Sequence, residues 1–174
     1  VGIVPQQPRD LFIADRISDE CRLSDKAHNI EPGTTRAILA LLAPAIEDDQ
    51  HPRDLSEGQQ LSLALAIALA GQPDVLLLDE PTRGLDSIAK QQLIRFMSEA
   101  SGRGQTIVVA THDVELAAEV AHRVSVIADG EIVAHGPVEE ILTASAMFAP
   151  VTTRVLAPLP WLSVSDIRSA MGEA

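Results

Sequence analysis

The stretch "VLLLDEPTRGLD" (75–86) decides the fold. Four consecutive apolar residues end in two carboxylates, then in a proline-glycine turn and a further aspartate. A continuous apolar run bounded by turn residues is how a central parallel strand reads. In open parallel sheets, ligands bind at the carboxyl ends of the strands. Asp79 and Glu80 stand at that end. Two adjacent carboxylates there have a chemical use: one can hold a magnesium ion, mainly through water, while the other polarises an attacking water.

Working outward, a helix is predicted from about Ser87 to Ala100, capped by Asp86 and stopped at Gly102. "TIVVA" (106–110) is a second buried strand, and Asp113 caps a short helix through about Ala121. "VSVIADGEIVAHG" (124–136) reads as a hairpin turning at Asp129-Gly130. Pro137 opens a helix with Glu139 and Glu140 in its first turn, where the helix dipole favours them. Upstream, "VGIVP" (1–5) reads as a short strand, and "TTRAILALLAPAI" (34–46) as a helix capped by Thr34 or Thr35 and ended by Pro44. A buried helix is predicted over about 57–70, with Gly71 as its C-terminal cap. The tail from 144 carries prolines, Trp161 and a last helix capped by Ser163 with Asp166 three residues on. It is expected to dock on its own domain or on a paired one. Strands alternating with helices give an α/β layered domain.

The start of the 57–70 helix is unusual. Ser56 with Gln59 three places later is a capping-box pattern, worth about 1 kcal/mol. Gly58 in the first turn costs roughly 1 kcal/mol relative to alanine. Such a cost is tolerated where something must approach the backbone closely. Free amides at a helix N-terminus attract anions, and phosphate is the obvious one. Glu57 is the awkward member, because its carboxylate repels a phosphate unless it points away. His112 follows the strand "TIVVA", where a histidine can contact a terminal phosphate and orient water; taken alone it is an ordinary loop residue. Gln6 and Gln7 end the first strand, where a glutamine can reach a metal or water; alone, each reads as a loop residue.

The totals bound the answer. At 174 residues the chain can bury a real core. Its net charge of −12 argues against a surface built to neutralise nucleic-acid phosphates. Cys21 is the single cysteine, so no internal disulfide forms and a reducing compartment fits. The longest apolar run, "LSLALAIALAG" (61–71), falls short of the roughly 20 residues a bilayer span needs. The scattered histidines make no zinc pattern.

"LSEGQ" (55–59), "VLLLDEP" (75–81), "GLD" (84–86) and "TH" (111–112) resemble, in order, the signature, Walker B, D-loop and switch-histidine motifs of ATP-binding-cassette ATPases. "VGIVPQQP" (1–8) resembles their Q-loop. The resemblance covers roughly residues 1–143. It implies a RecA-like P-loop NTPase core with a helical signature subdomain. The implied boundaries are a Q-loop strand over 1–8, the helical subdomain over 9–72, the Walker B part of the core over 73–143, and a tail over 144–174. Together with the tail "FAPVTTRVLAPLPWLSVSDI" (148–167), the motifs are similar to actinobacterial energy-coupling-factor transporters for vitamins or metal ions, in particular to the second cassette of a fused pair.

The resemblance implies that two cassettes trap ATP and magnesium between them, head to tail. Ser56, Gly58 and Gln59 would touch the γ-phosphate held by the opposite cassette. Asp79, with Gln6, would hold magnesium mainly through water. Glu80 would be the general base, His112 would sense the γ-phosphate, and Asp86 would link the two sites. Gln6 and the segment after it would couple to membrane-embedded transporter subunits, placing the protein on the cytoplasmic face of the membrane. No nucleic acid is implied.

Three departures stand out. Glu57 occupies a signature position that is usually glycine. The basic residues common after the signature are replaced by "QLSLALA". No G-x-x-x-x-G-K-[ST] occurs, and the only lysines are Lys26 and Lys90. Without that loop the β- and γ-phosphates lack their main cradle. The implied reading is the C-terminal part of a cassette, inactive by itself toward ATP, with an apolar sheet face and an edge left uncovered. DNA-repair cassettes are a rival, but they separate Q-loop and signature by a long coiled coil, whereas Gln6 and Leu55 lie only about fifty positions apart. Translation-factor cassettes carry basic segments that this chain lacks. A degenerate, regulatory cassette is the third alternative, and the retained Glu80 and His112 speak against it.

Overall fold

The computed structural model describes residues 1–144, 149–156 and 161–171. The chain divides into two units, Val1–Ala110 and Thr111–Ala174.

The first unit is built on a parallel sheet, β1 (Gly2–Val4), β2 (Val75–Asp79) and β3 (Thr106–Ala110), in that spatial order. The "VLLLD" run is its middle strand. Between β1 and β2 the chain makes α1 (Ile17–His28), α2 (Thr34–Leu42) and α3 (Glu57–Ala70), and α4 (Ser87–Gly102) connects β2 to β3. Gly2, Leu76 and Ile107 are in register, as are Val4, Leu78 and Val109. Side chains alternate along a strand, so these rows share one face, and Val4, Leu76 and Leu78 are buried there. The intervening row, Ile3, Leu77 and Val108, lies on the other face. Ile3 is 57% and Val108 51% exposed. Within this unit β2 is therefore covered on one face, and the row on the other face is apolar and partly exposed.

Helix α3 lies close to the sheet because β1 has no side chain at the crossing. A Cβ on Gly2 would stand 3.0 Å from Pro73 Cγ and 3.1 Å from the Ala68 carbonyl oxygen. The Ala68 oxygen is backbone and cannot swing aside. The Gly2→Ala variant should lose about 1–3 kcal/mol of stability through overpacking. A urea midpoint equal to wild type would show that helix and strand are not so closely held.

Helix α3 is buried on most sides, through Leu61, Leu63, Ala64, Leu65, Ala66 and Ala70, as its sequence predicts. Gly71 caps its C-terminus, as expected, at φ −76°, and the left-handed residue is the next one, Gln72, at φ 48°. Gly71 is also needed for room, because a Cβ there would meet the His28 ring.

Helix α1 has no counterpart in the sequence reading. Its buried positions, Ile17, Glu20, Cys21, Ser24 and Asp25, follow helical spacing, but three of the five are polar. Burial pushes the Cys21 thiol up to about 11, so it stays protonated and inert at neutral pH. The Glu20 carboxylate accepts from the amides of Ile13 (3.0 Å) and Ala14 (2.7 Å), pinning the segment that leads from β1 into the helices.

Helix α2 begins at Thr34, but neither Thr34 nor Thr35 caps it with its side chain. The N-cap is Gly33, at φ 94°. The capping oxygens come from Asp25 on α1, which accepts from the amides of Gly33 (2.6 Å) and Thr35 (2.8 Å) and from the Thr35 hydroxyl (2.6 Å).

The second unit holds α5 (Val114–Val120), a hairpin of β4 (Arg123–Ala128) and β5 (Glu131–Pro137), and α6 (Val138–Thr143). Asp129 and Gly130 both have positive φ, 50° and 81°, as the two-residue turn requires. Helices α7 (Val151–Leu156) and α8 (Val164–Ala170) follow. The tail docks on its own unit, since the Val151 amide donates to the Glu115 carboxylate at 2.7 Å. The expected cap of α8 is present, with Ser163 and Asp166 bonding reciprocally. Among the described residues, no helix is long and apolar enough to cross a membrane.

Candidate functional site

Strand β2 ends with Asp79 exposed and Glu80 half-buried. Glu80 is in the left-handed region, at φ 46°. That conformation costs a non-glycine residue roughly 1–2 kcal/mol. It is held by two backbone bonds: the Glu80 amide donates to the Ala110 carbonyl at 2.8 Å, and the Glu80 carbonyl accepts from the Arg83 amide at 3.1 Å. Strain of this kind, over-determined by its surroundings, collects at functional positions. The turn continues with a bond from the Leu85 amide to the Thr82 carbonyl, and ends where Asp86 caps α4 by accepting from the Ala89 amide at 2.8 Å.

The capping box at the start of α3 is complete. Ser56 Oγ accepts from the Gln59 amide at 3.3 Å, and Gln59 Oε1 accepts from the Ser56 amide at 3.0 Å. The amides of the first turn have no intrahelical acceptor by construction. Gly58 has a local reason as well. A Cβ there would stand 3.2 Å from the Ala89 Cβ and 3.7 Å from Leu85 Cδ2, so the close approach is made by this chain's own α4. Replacing Ser56 with Ala should cost about 1 kcal/mol of stability, read from the urea midpoint. An unchanged midpoint would mean that the cap carries no weight in the folded unit.

Apart from His112, the predicted site residues fall into two clefts of the first unit. Gln6, Asp79 and Glu80 line a cleft of about 230 Å³ together with Gln7, Glu57 and Arg83. Ser56, Gly58, Gln59 and Asp86 line a neighbouring groove of about 300 Å³ whose remaining wall is mostly apolar. Leu61 and Leu85 border both. His112 lies in the second unit, exposed, in the turn where the Asp113 amide donates to the Thr111 hydroxyl at 3.0 Å. Asp113 itself caps α5, accepting from the Leu116 amide at 2.9 Å.

Gln7, named with Gln6 at the end of the first strand, is in the first cleft, whereas sequence reasoning overlooked Arg9 and Arg83 there. The guanidinium of Arg9 donates to Gln7 at 3.2 Å, and an arginine within a turn carries no periodic signal. The cleft's donor set is carboxylate and amide oxygen, which suits a hard cation. Among the described residues, no group of three or more His, Cys, Asp or Glu is placed to hold a metal. A cation bound there would keep most of its water.

The family described as "AAA domain, putative AbiEii toxin, Type IV TA system" matches residues 22–118, more than half of the chain. A Streptomyces avermitilis protein named "Putative ABC transporter ATP-binding protein" is 54% identical over 171 residues, covering 98% of this chain and 30% of that protein. The dimeric post-hydrolysis structure of the ATP-binding cassette MJ0796, bound to ADP and Pi, aligns with TM-score 0.68 at 27% identity, covering 79% of this chain and 62% of that one. This chain belongs to the ATP-binding-cassette family. Its fold is the RecA-like P-loop NTPase fold of those cassettes. The cobalt import ATP-binding protein CbiO of Rhodobacter capsulatus is 37% identical over 153 residues, covering 86% of this chain and 55% of that protein. CbiO1 of Clostridium perfringens, part of the CbiONQ complex, aligns with TM-score 0.67 at 27% identity, covering 98% of this chain and 66% of that one. The cassette segment described here thus spans 30% of the Streptomyces relative.

Proposed function

We infer that the full-length protein is an ATP-hydrolysing subunit of a membrane transporter of the energy-coupling-factor type, taking up a vitamin or metal ion. The observation that supports this most is the division of the site residues into two clefts. Asp79, Glu80 and Gln6 form one half-site, while Ser56, Gly58, Gln59 and Asp86 form another. One chain offers the base side of one nucleotide site and the signature side of a second. A head-to-tail pair of cassettes completes both, and the dimeric relative bound to ADP and Pi supports that reading.

Bound ATP with magnesium supplies the phosphoryl group that is transferred to water. Glu80 is the general base: its carboxylate takes the proton of the attacking water. Asp79 would hold the metal mainly through water, and Gln6, which lines the same cleft, would contribute an amide oxygen. Ser56, with the amides of Glu57 and Gly58, stabilises charge on the γ-phosphate bound to the partner cassette. His112 would sense the γ-phosphate of the nucleotide bound to its own cassette, and Asp86 would link the two sites. Gln6 and the segment after it couple these events to the membrane-embedded subunits, on the cytoplasmic face of the membrane. The support for uptake of a cobalt-like ion or a vitamin is the similarity to CbiO proteins.

The test is steady-state ATP turnover by the full-length protein, beside its Glu80→Gln variant. Turnover abolished by the substitution supports the reading. Binding of ATP with no turnover in either protein would favour the regulatory alternative.

A further inference from the structure

We propose that Glu57 is a positioning residue that clasps the turn between Glu80 and Asp86, tying the start of α3 to the loop that carries the base. The proposal rests on the ATPase reading above for its kinetic part only. Glu57 is the first residue of α3, and its side chain turns back over Gly84: a Cβ on Gly84 would fall on the Glu57 carboxylate. Gly84 has φ 71°, a conformation that L side chains rarely adopt. At the next residue, Gly58, a Cβ would stand 3.7 Å from Leu85 Cδ2 in the same turn and 3.2 Å from Ala89 Cβ on α4. Two consecutive residues of the signature start therefore pack on three positions of the segment 84–89.

The consequence is mechanical. The turn over 80–86 is short and internally bonded, through Arg83 to Glu80 and Leu85 to Thr82. Its first residue is the strained Glu80, and its last is the helix cap Asp86. A side chain seated on Gly84 limits where both ends can go. With its carboxylate over Gly84, Glu57 acts on Glu80 through the turn. The acidic side chain is accommodated because it faces the loop of its own chain, leaving the first-turn amides to meet an anion.

A double-mutant cycle of Glu57→Ala and Gly84→Ala, with Glu57→Gln as the conservative variant, tests this. In the chain itself, amide hydrogen exchange of Arg83 and Leu85 should quicken in Glu57→Ala, and Glu57→Gln should restore it. Gly84→Ala should destabilise the wild-type background more than the Glu57→Ala background, because the added methyl then has room. Additive effects on stability with unchanged exchange would overturn the clasp. In the full-length protein, Glu57→Ala should lower kcat for ATP about 10-fold, with KM changed less than about 2-fold. Coupling in stability with an unaltered kcat would reduce Glu57 to a packing residue and overturn its positioning role. Absence of turnover in the wild-type protein would sink the ATPase reading and the kinetic role with it, while the exchange and stability arms still decide the contact.

Discussion

Glu80→Gln in the full-length protein should bind ATP as tightly as wild type and hydrolyse it roughly 10²–10⁴-fold more slowly. The substitution is nearly isosteric, so it keeps the turn that holds residue 80 at φ 46° and its backbone bonds to Ala110 and Arg83. What it removes is the only property the proposed role requires, a carboxylate able to accept a proton. The loss should therefore appear in kcat, with KM little changed, since the group acts in the transition state and not in ground-state binding. Equilibrium ATP binding and single-turnover hydrolysis separate the two. A loss smaller than about 10-fold would disqualify Glu80 as the base. A loss in ATP affinity with kcat preserved would point to a role in holding the cation.

The second large effect is on stability and lies away from the clefts. Asp25 is 3% exposed and joins α1 to α2. Its carboxylate accepts three hydrogen bonds, from the Gly33 amide, the Thr35 amide and the Thr35 hydroxyl. Truncation to Ala leaves these donors unsatisfied beside a buried void, and hydrogen bonds to charged groups are the costly ones to break. Asp25→Ala should lose about 3 kcal/mol by urea unfolding. Asp25→Asn, which keeps one acceptor oxygen, should lose less.

The same carboxylate sets a pH dependence. Burial by itself raises the Asp25 carboxyl. The Thr35 hydroxyl, the amides of Thr35 and Gly33, and nearby His28 outweigh it and hold the group below its ordinary value. A depressed folded value means that the unfolded chain takes up the proton first as pH falls. The contribution of Asp25 is thus fully present above the ordinary carboxylate range, near pH 4, and disappears as pH falls through the lower folded value. The stability gap between wild type and Asp25→Asn should be constant at neutral pH and should narrow in acid. A gap that is independent of pH would show that the bonds to Asp25 are not charge-assisted.

Much of the chain obeys rules that act within a few residues, and those parts were legible. The apolar run before Asp79 is the middle strand. Asp86, Asp113 and Ser56 cap the helices that follow them, because a capping oxygen and its amide lie three positions apart in the chain. Asp129-Gly130 turns a hairpin because both positions tolerate positive φ. Ser56, Gly58, Asp79, Glu80 and Asp86 could be named for the same reason: each is positioned by its own strand end or helix start.

Four things came only from tertiary structure. Helix α1 hides Glu20, Ser24 and Asp25, so its buried face carries no hydrophobic period to read. Helix α2 is capped by Asp25 from another helix, a bond that spans 10 residues to Thr35 and has no local signature. Glu57 turns toward Gly84, which depends on a loop nearly thirty positions away. The division of the site residues between two clefts belongs here too. Local chemistry determines which residues can meet a phosphate or a metal. Only the packing of α3 against the turn before α4 decides which of them face the same space.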